Sequence, residues 1–539
     1  MHLPILLALL LQLAAAPSAF AVIRESIASL PNVTYDFVIV GGGTAGAVLA
    51  NRLTENPRWN VLVLEAGPSH EGVLDARVPS FSFNLQKTIY DWNYTSTAQP
   101  ELNNRRVLIP RGHILGGCSS INGMFYTRGS SSDYDRVPQA IDAKVCDAAE
   151  ELGGEFAYNV DTNSGDPLGT GWLQVTVGNG ERSSAATSYL GPEYIKRPNL
   201  HVLVKNRVTK VLQTTSSGGI PDFRTVRFTE GYGSSGPSYQ VTAAKEVIIS
   251  AGAFGTPHIL QLSGIGDPEV LQVAGIETIV DLPSVGKNLT DQPQFTTIWP
   301  LGITHTFDPT PEHQAQWLAQ WHENKTGPLT SVGVNSIAYI RIPDSSPIWD
   351  SHSDPTSGPN TPHLEIAIIG GGLYPLPGRI IGMNTVVSEP HSRGSVLLHS
   401  SDPFEDPLID MALLSDPFDM LALKHGVSAI KKFLSASTFE EYNLTLAYPF
   451  TEESTEEEVD QAIRNVVASN VHPVGTAAMS PKDADYGVVD PDLRVKKVNG
   501  LRVIDASVMP YTTSAHTQAA VYAIAERAAD LVAGSWKET

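Results

Sequence analysis

The sequence predicts an α/β protein in two parts: a Rossmann-like unit built on a parallel sheet, and a second α+β unit built on an antiparallel sheet. Three observations predict it. The first is the stretch Tyr35 to Gly67, YDFVIVGGGTAGAVLANRLTENPRWNVLVLEAG. A short β-branched run (Phe37 to Val40) leads straight into glycines, then a helical segment from about Thr44 to Thr54, then a second apolar run (Val61 to Leu64) ending in Glu65. The second is a change of character between about Pro293 and Asn465, where stretches such as Ser336 to Ile342 and Gly394 to His399 alternate as antiparallel strands do. The third is a return to the first style near the C-terminus, with a strand at Leu501 to Asp505 and a helix opening at Ser514 to Gln518 and running to about Ala533.

The glycines form the fingerprint Gly41-x-Gly43-x-x-Gly46 between strand and helix, the mark of a Rossmann-like unit. Gly41 permits the tight turn, Gly43 lets the backbone approach a pyrophosphate, and Gly46 lets the helix pack close to the sheet. The helix start at Thr44 and Ala45 offers free N–H groups and the positive end of a dipole to phosphate. Glu65 follows Gly46 by about 20 residues, where a carboxylate accepts the ribose hydroxyls.

The chain has 539 residues, 42% hydrophobic and 17% charged, enough for a large core and more than one domain. A formal charge of −21 argues against nucleic acid or an anionic membrane as partner and suits a protein acting on small neutral molecules. Met1 to Ala21 reads as a secretory signal peptide: Leu3 to Ala16 is apolar but short for a bilayer, and Ala19-Phe20-Ala21 is a small-x-small cleavage site. Sequons at Asn32, Asn93, Asn288, Asn324 and Asn443 fit a secreted, extracellular glycoprotein. Cys118 and Cys146 make no disulfide framework; one bridge and two free thiols both stay open.

Between Gly67 and Pro110 the chain is irregular, with a polar-aromatic patch at Tyr90 to Tyr94. Pro110 to Gly123 combines glycines, small hydroxyls and an amide, as a backbone wrapped closely around a flat polar ligand requires. Further buried strands follow at His201 to Val204 and Lys245 to Ala251, the latter running into a short helix that ends near Ser263. Trp317 and Trp321 sit at helical spacing and read as packing residues. The acidic run Glu452 to Asp460 reads as a solvated helix start. No cluster of residues with metal-ligand spacing stands out.

Together these pieces resemble the glucose-methanol-choline (GMC) family of flavin oxidoreductases. GGGTAGAVLANRL, RGHILGGCSSING, GAFGTPHILQLSGIG, VGKNLTDQP, VHPVGT and DASVMPYTTSAHTQ occur in the family's order along nearly the whole mature chain. TIYDWNYTSTAQPELNNR and NGERSSAATSYLGP look most like the fungal aryl-alcohol oxidase and pyranose dehydrogenase branch. The resemblance implies FAD. It places the pyrophosphate at Gly41 to Gly46 and the adenosine ribose at Glu65. The Arg111 to Gly123 loop, with Gly117, Ser120, Asn122 and Gly123, would lie against the isoalloxazine and pyrophosphate. Val208 would meet the adenine through its backbone. Asp505, Ala506, Thr517 and Gln518 would hold the ribityl and flavin end. His472 and His516 would face the substrate, His472 as base and His516 as its partner, the reverse order remaining open.

The expected domain plan is a leader at 1–21, FAD-binding segments at 33–136, 181–292 and 465–539, and substrate-domain segments at 137–180 and 293–464. Two departures from the family pattern stand out. Some relatives carry histidine and tyrosine where this chain has Asn122-Gly123, and in the dehydrogenases that histidine bonds the flavin covalently; here FAD is expected to be non-covalent. After Arg136 relatives carry a few dozen more residues, so an open pocket or an exposed apolar patch is expected beside Val137 to Glu155. The leading function is a secreted, monomeric FAD-dependent oxidation of primary, aryl or allylic alcohols with oxygen or quinone as acceptor. The rivals are a quinone-linked pyranose dehydrogenase, a hydroxynitrile-type lyase with redox-silent FAD, and an inactive flavoprotein.

Overall fold

The computed structural model describes residues 23–127, 140–233, 236–301, 310–370 and 380–536. The expected leader at 1–21, and Arg136 with Val137 beside the missing segment, lie outside them. Among the described residues, no helix is long and apolar enough to cross a membrane.

The first sheet has five strands, all paired in parallel. Phe37–Val40 lies at its centre, between Val61–Leu64 and Glu246–Ile249, with Leu200–Leu203 and Leu501–Val503 at the edges. Its strands read as apolar runs rather than alternating ones because both faces are covered; Phe37 to Val40 and Val61 to Leu64 are buried throughout. The chain leaves Phe37–Val40 toward neighbours on opposite sides, so its C-terminal end is a switch point where an open parallel sheet leaves a crevice. The helices Thr44–Leu53 and Thr517–Ser535 pack together beside it.

The second sheet has six strands in the order Ala468–Ser469, Pro293–Pro300, Ile380–Val387, Leu364–Gly370, Val334–Ile340, Gly169–Trp172, all antiparallel. Period-two alternation divides its side chains. Leu364, Ile366 and Ile368 join the core formed with the helices Ala140–Leu152 and Pro417–Leu434. Ala367 and Ile369 belong to the opposite face, with Val334 and Tyr339. One covering helix sits so close that a Cβ on Gly426 would stand 2.5 Å from the Thr385 methyl.

The stretch Gly394 to His399 departs from expectation. Its strand, Ser395–Leu397, joins a separate two-stranded ribbon with Leu408–Asp410. The Val396 backbone is held instead by Gly286 and the Gln261 side chain, which ties the ribbon to the parallel-sheet unit. The two tryptophans lie on the helix Pro311–Asn324. Trp321 is fully buried, donates its indole N–H to the Gly180 carbonyl at 2.7 Å and carries Lys325 over its ring. The acidic run opens the helix Glu456–Val466 through a capping box between Thr455 and Glu458. Cys118 and Cys146 are both free. Four sequon asparagines are exposed, whereas Asn288 is half-buried and donates to the Pro510 carbonyl at 2.9 Å.

Within Ile141 to Glu155 the expected exposed apolar patch is not found. Ile141, Val145 and Ala148 are buried against Phe156 and the second core, and no large apolar side chain from Ile141 to Glu155 is exposed. Exposed apolar groups begin just beyond, at Tyr158 and Val160.

The C-terminal strand is fastened to the parallel sheet by a buried ion pair. Arg502 donates to both oxygens of Glu246, at 2.5 and 3.2 Å, and the Trp536 indole N–H donates to the same carboxylate at 2.9 Å. Removing one partner leaves an uncompensated buried charge, which costs about 3–5 kcal/mol. Glu246→Met should therefore lower the thermal midpoint more than the double change Glu246→Met with Arg502→Met. Thermal unfolding of the three proteins checks this.

Candidate active site

The glycine turn fixes the floor of the site. Gly41 has φ +100°, a left-handed conformation that side chains resist, and a Cβ on Gly46 would stand 1.9 Å from the Gly41 carbonyl oxygen. Gly117, at φ +55°, comes as close to Gly43: its Cβ would stand 2.8 Å from the Gly43 Cα. These approaches join the fingerprint to the loop before Gly123. Glu65 is buried beside them and accepts N–H groups from Gly42 and Gly67, each at 2.7 Å. Burial pushes its carboxyl up to about 7, against the pull of those hydrogen bonds.

A cavity of about 370 Å³ runs from this floor to the second sheet. Gly41, Gly43, Thr44, Ala45, Glu65, Arg111, Gly117, Asn122, Gly123, Val208, Asp505, Ala506, Thr517, Gln518, His472 and His516 all line it. Gly46 and Ser120 do not. Gly46 serves the close approach just described, and Ser120 turns its hydroxyl inward to donate to the Leu115 carbonyl at 2.9 Å. The Asp505 carboxylate is committed to protein, accepting from Gly252 N–H, the Thr256 hydroxyl and Ser507. Its place on the cavity wall is thus one of backbone and shape.

Asn122 is held from two sides. Its carbonyl oxygen accepts from Arg182 at 2.9 Å and from the Met124 N–H at 3.1 Å, while its NH₂ donates to the Gln518 side chain. Arg182 is a buried cation whose Nε and Nη2 have no hydrogen-bond partner among the described residues; burial brings its guanidinium down to about 9.

The two histidines reach the cavity from different elements. The segment from Leu289 to Gln292 pairs with the segment around His472: Thr290 and Val474 exchange hydrogen bonds at 3.1 and 2.9 Å, and Asn470 N–H donates to the Gln292 carbonyl at 2.9 Å. Between them Val471 adopts φ +63°, a strained conformation for a β-branched residue. It is held there by the Ser469 hydroxyl on its N–H, at 2.8 Å, and the Arg111 guanidinium on its carbonyl, at 2.9 Å. This kink turns His472 into the cavity, where its backbone N–H donates to Asp291 at 3.0 Å. Burial pushes the Asp291 carboxyl up to about 6.

His516 stands immediately before the helix Thr517–Ser535. Its Nε2 lies 3.1 Å from Glu365 Oε1, and Glu365 Oε2 accepts from the Tyr339 hydroxyl at 3.2 Å. The two imidazole rings lie edge to face, 4.7 Å between centroids, and Phe125 flanks His516 at 4.9 Å. His472 Nδ1 is 2.7 Å from Gln292 Oε1. Its pKa lies well below 6.5, first because it is enclosed by protein and then because His516 and Arg111 stand near.

Models of the GMC oxidoreductase family match residues 35–141, 136–294 and 390–525. The chain belongs to the GMC oxidoreductase family. It is 38% identical to the dehydrogenase eriK of Hericium erinaceus over 593 residues, covering 97% of this chain and 98% of that one. It is 37% identical to pyranose dehydrogenase 3 of Leucoagaricus meleagris, covering 94% of each. A fungal aryl-alcohol oxidase structure superposes with a TM-score of 0.77 at 27% identity, covering 94% of this chain and 100% of that one. The eriK alignment is longer than this chain, so that relative carries residues this chain lacks. The N-terminal family match is interrupted at 136–141, beside the expected missing segment.

This GMC oxidoreductase is FAD-dependent and acts on alcohol or sugar donors. Its cavity fits the cofactor. The helices Thr44–Leu53 and Thr517–Ser535 both begin at the wall with no side-chain cap, leaving N–H groups free for an anionic or carbonyl-bearing ligand. Gln518 Nε2 is buried on the same wall without a partner among the described residues. The Glu65 oxygens accept N–H groups from Gly42, Gly67 and Ala66 and keep lone-pair capacity for ribose hydroxyls.

Sequence reasoning missed Arg182, Asp291, Gln292 and Glu365. Asp291 and Gln292 lie inside the motif VGKNLTDQP, but their neighbours are set by the distant pairing to Val474. Glu365 had a signal, a carboxylate alone in the apolar strand Leu364–Gly370.

Gly46→Ala should force the helix away from the Gly41 turn at a cost of about 1–3 kcal/mol. FAD affinity of the apoprotein should fall at least ~tenfold, measured by flavin titration.

Proposed function

We propose that this chain oxidises primary aryl or allylic alcohols to aldehydes outside the cell, with His472 as general base, His516 as its partner and oxygen or quinone as final acceptor. One observation carries the substrate class: the wall facing the histidines is apolar. Glu365, Ala367 and Ile369 share one face of their strand, and Ile369 pairs with Val334 and Ala367 with Asn384. Val334, Ala367 and Ile369 line the cavity with Phe125 and Val332. Each of the two amides there has one end engaged: Asn384 Oδ1 accepts from Thr296, and Gln294 Nε2 donates to the Ser469 carbonyl. A flat hydrocarbon suits such a wall better than a ring of sugar hydroxyls, each of which would need a partner.

FAD supplies the acceptor for the carbon-bound hydride when bound. The protein handles the proton. His472 Nε2 has no protein partner among the described residues and lies in the cavity. Its low pKa keeps it neutral and ready to take the hydroxyl proton. With hydrogen on both ring nitrogens, His516 gives Nε2–H to Glu365 and Nδ1–H to the substrate hydroxyl oxygen. Asn122 stands where a linking histidine would be needed, so FAD is held without a covalent bond. The leader at 1–21 and the four exposed sequons support secretion.

The deciding experiment is anaerobic flavin reduction by veratryl alcohol, glucose and cellobiose. Rapid bleaching by veratryl alcohol is expected. Bleaching by the sugars alone would favour pyranose oxidation, the activity named for the 37% identical relative. Absence of bleaching by every alcohol would favour the lyase or the inactive flavoprotein.

Three further outcomes are expected. His472→Ala should slow flavin reduction by ~10²–10⁴-fold with FAD retained. In the unaltered protein the reductive rate should stay flat as pH falls to 6.5 and decline only below it, because the base is lost when His472 gains a proton. Acid precipitation should release all the flavin into the supernatant, read by its absorbance.

A further inference from the structure

We infer that Gln292 is a positioning residue that fixes the tautomer of His472, holding a proton on Nδ1 and leaving the lone pair on Nε2. The inference rests on the assignment of His472 as base and extends it to a residue from another part of the chain. The Gln292 amide is buried and committed at both ends. Its Nε2 donates to the carbonyls of Ser388, at 2.8 Å, and Thr513, at 3.2 Å. Two carbonyl acceptors admit only the NH₂ end, so the oxygen must point the other way.

That oxygen meets His472 Nδ1 at 2.7 Å and Asn470 Nδ2 at 3.2 Å. An amide oxygen only accepts, so His472 Nδ1 must carry the hydrogen. Asn470 Nδ2 also lies 3.1 Å from His472 Nδ1, but two donors gain nothing from each other; both converge on the same oxygen. In the neutral ring the hydrogen therefore sits on Nδ1, and Nε2 keeps the lone pair on the cavity side. A neutral amide achieves this without a negative charge that would favour imidazolium. The other charged or titratable groups facing the ring are His516 across the cavity, Arg111 beside Val471, and Asp291, which accepts the His472 backbone N–H. Glu365 acts from behind His516.

The test is Gln292→Glu in the FAD-loaded protein, with anaerobic flavin reduction followed across pH. A carboxylate against Nδ1–H stabilises the imidazolium, so the acid limb of the profile should move up by about 1–3 pH units. A residue that merely filled space would leave the limb in place, and an unmoved limb overturns the inference. His472→Ala is run in parallel. A loss under tenfold there removes the base assignment itself; a large loss there with an unmoved limb in Gln292→Glu removes the role of Gln292 alone. Should the Glu variant fail to fold, ¹⁵N NMR of histidine-labelled protein, with His472 assigned by its absence in His472→Ala, reads the tautomer directly. A protonated Nδ1 supports the inference, and a protonated Nε2 overturns it.

Discussion

The pairing of Thr290 with Val474 is the contact on which the surroundings of His472 depend. It brings together two short segments far apart in sequence, at the seam between the parallel and antiparallel sheets. Each backbone hydrogen bond is worth only about 0.5–1.5 kcal/mol net. Their effect is geometric: they set the register that puts Gln292 under His472, Asp291 under its backbone, and Asn470 against both. The glycine turn at the far end of the cavity is fixed by sterics, whereas this end is fixed by register.

The two histidines are alike in chemistry and unlike in support. One faces a neutral amide that is itself clamped by two carbonyls; the other faces a carboxylate shared with a tyrosine. Under the proposed roles, one ring taking a proton and the other holding an oxygen, such inequality is an advantage. The division of labour is written in the partners, since the rings themselves carry no label.

The parallel sheet and its fingerprint were legible because their causes are local. Glycine spacing, a β-branched run and one acid specify the turn at Gly41, the helix from Thr44 and the place of Glu65. The histidines entered only through resemblance, since neither has a local signal that separates it from the other histidines of the chain. Ser120 looks like a ligand residue in its motif, yet its hydroxyl turns into the loop, a direction that backbone dihedrals decide. Ser395–Leu397 alternates like a strand of the large sheet, but Gly286 and Gln261 claim its backbone first. Gln292 was illegible for the same reason, and Glu365 showed only as a lone carboxylate in an apolar strand: their meaning lies in which group they face.

Val471 carries a consequence of its own. A β-branched residue held at positive φ stores roughly 1–3 kcal/mol of strain, balanced here by Ser469 and Arg111. Glycine or asparagine at that position would relax the backbone and raise the melting temperature, while loosening the hinge that aims His472. With His472 in its proposed role, selection for heat resistance and selection for turnover would thus pull this one position in opposite directions, and a laboratory lineage bred only for robustness would drift toward a sturdier, slower catalyst.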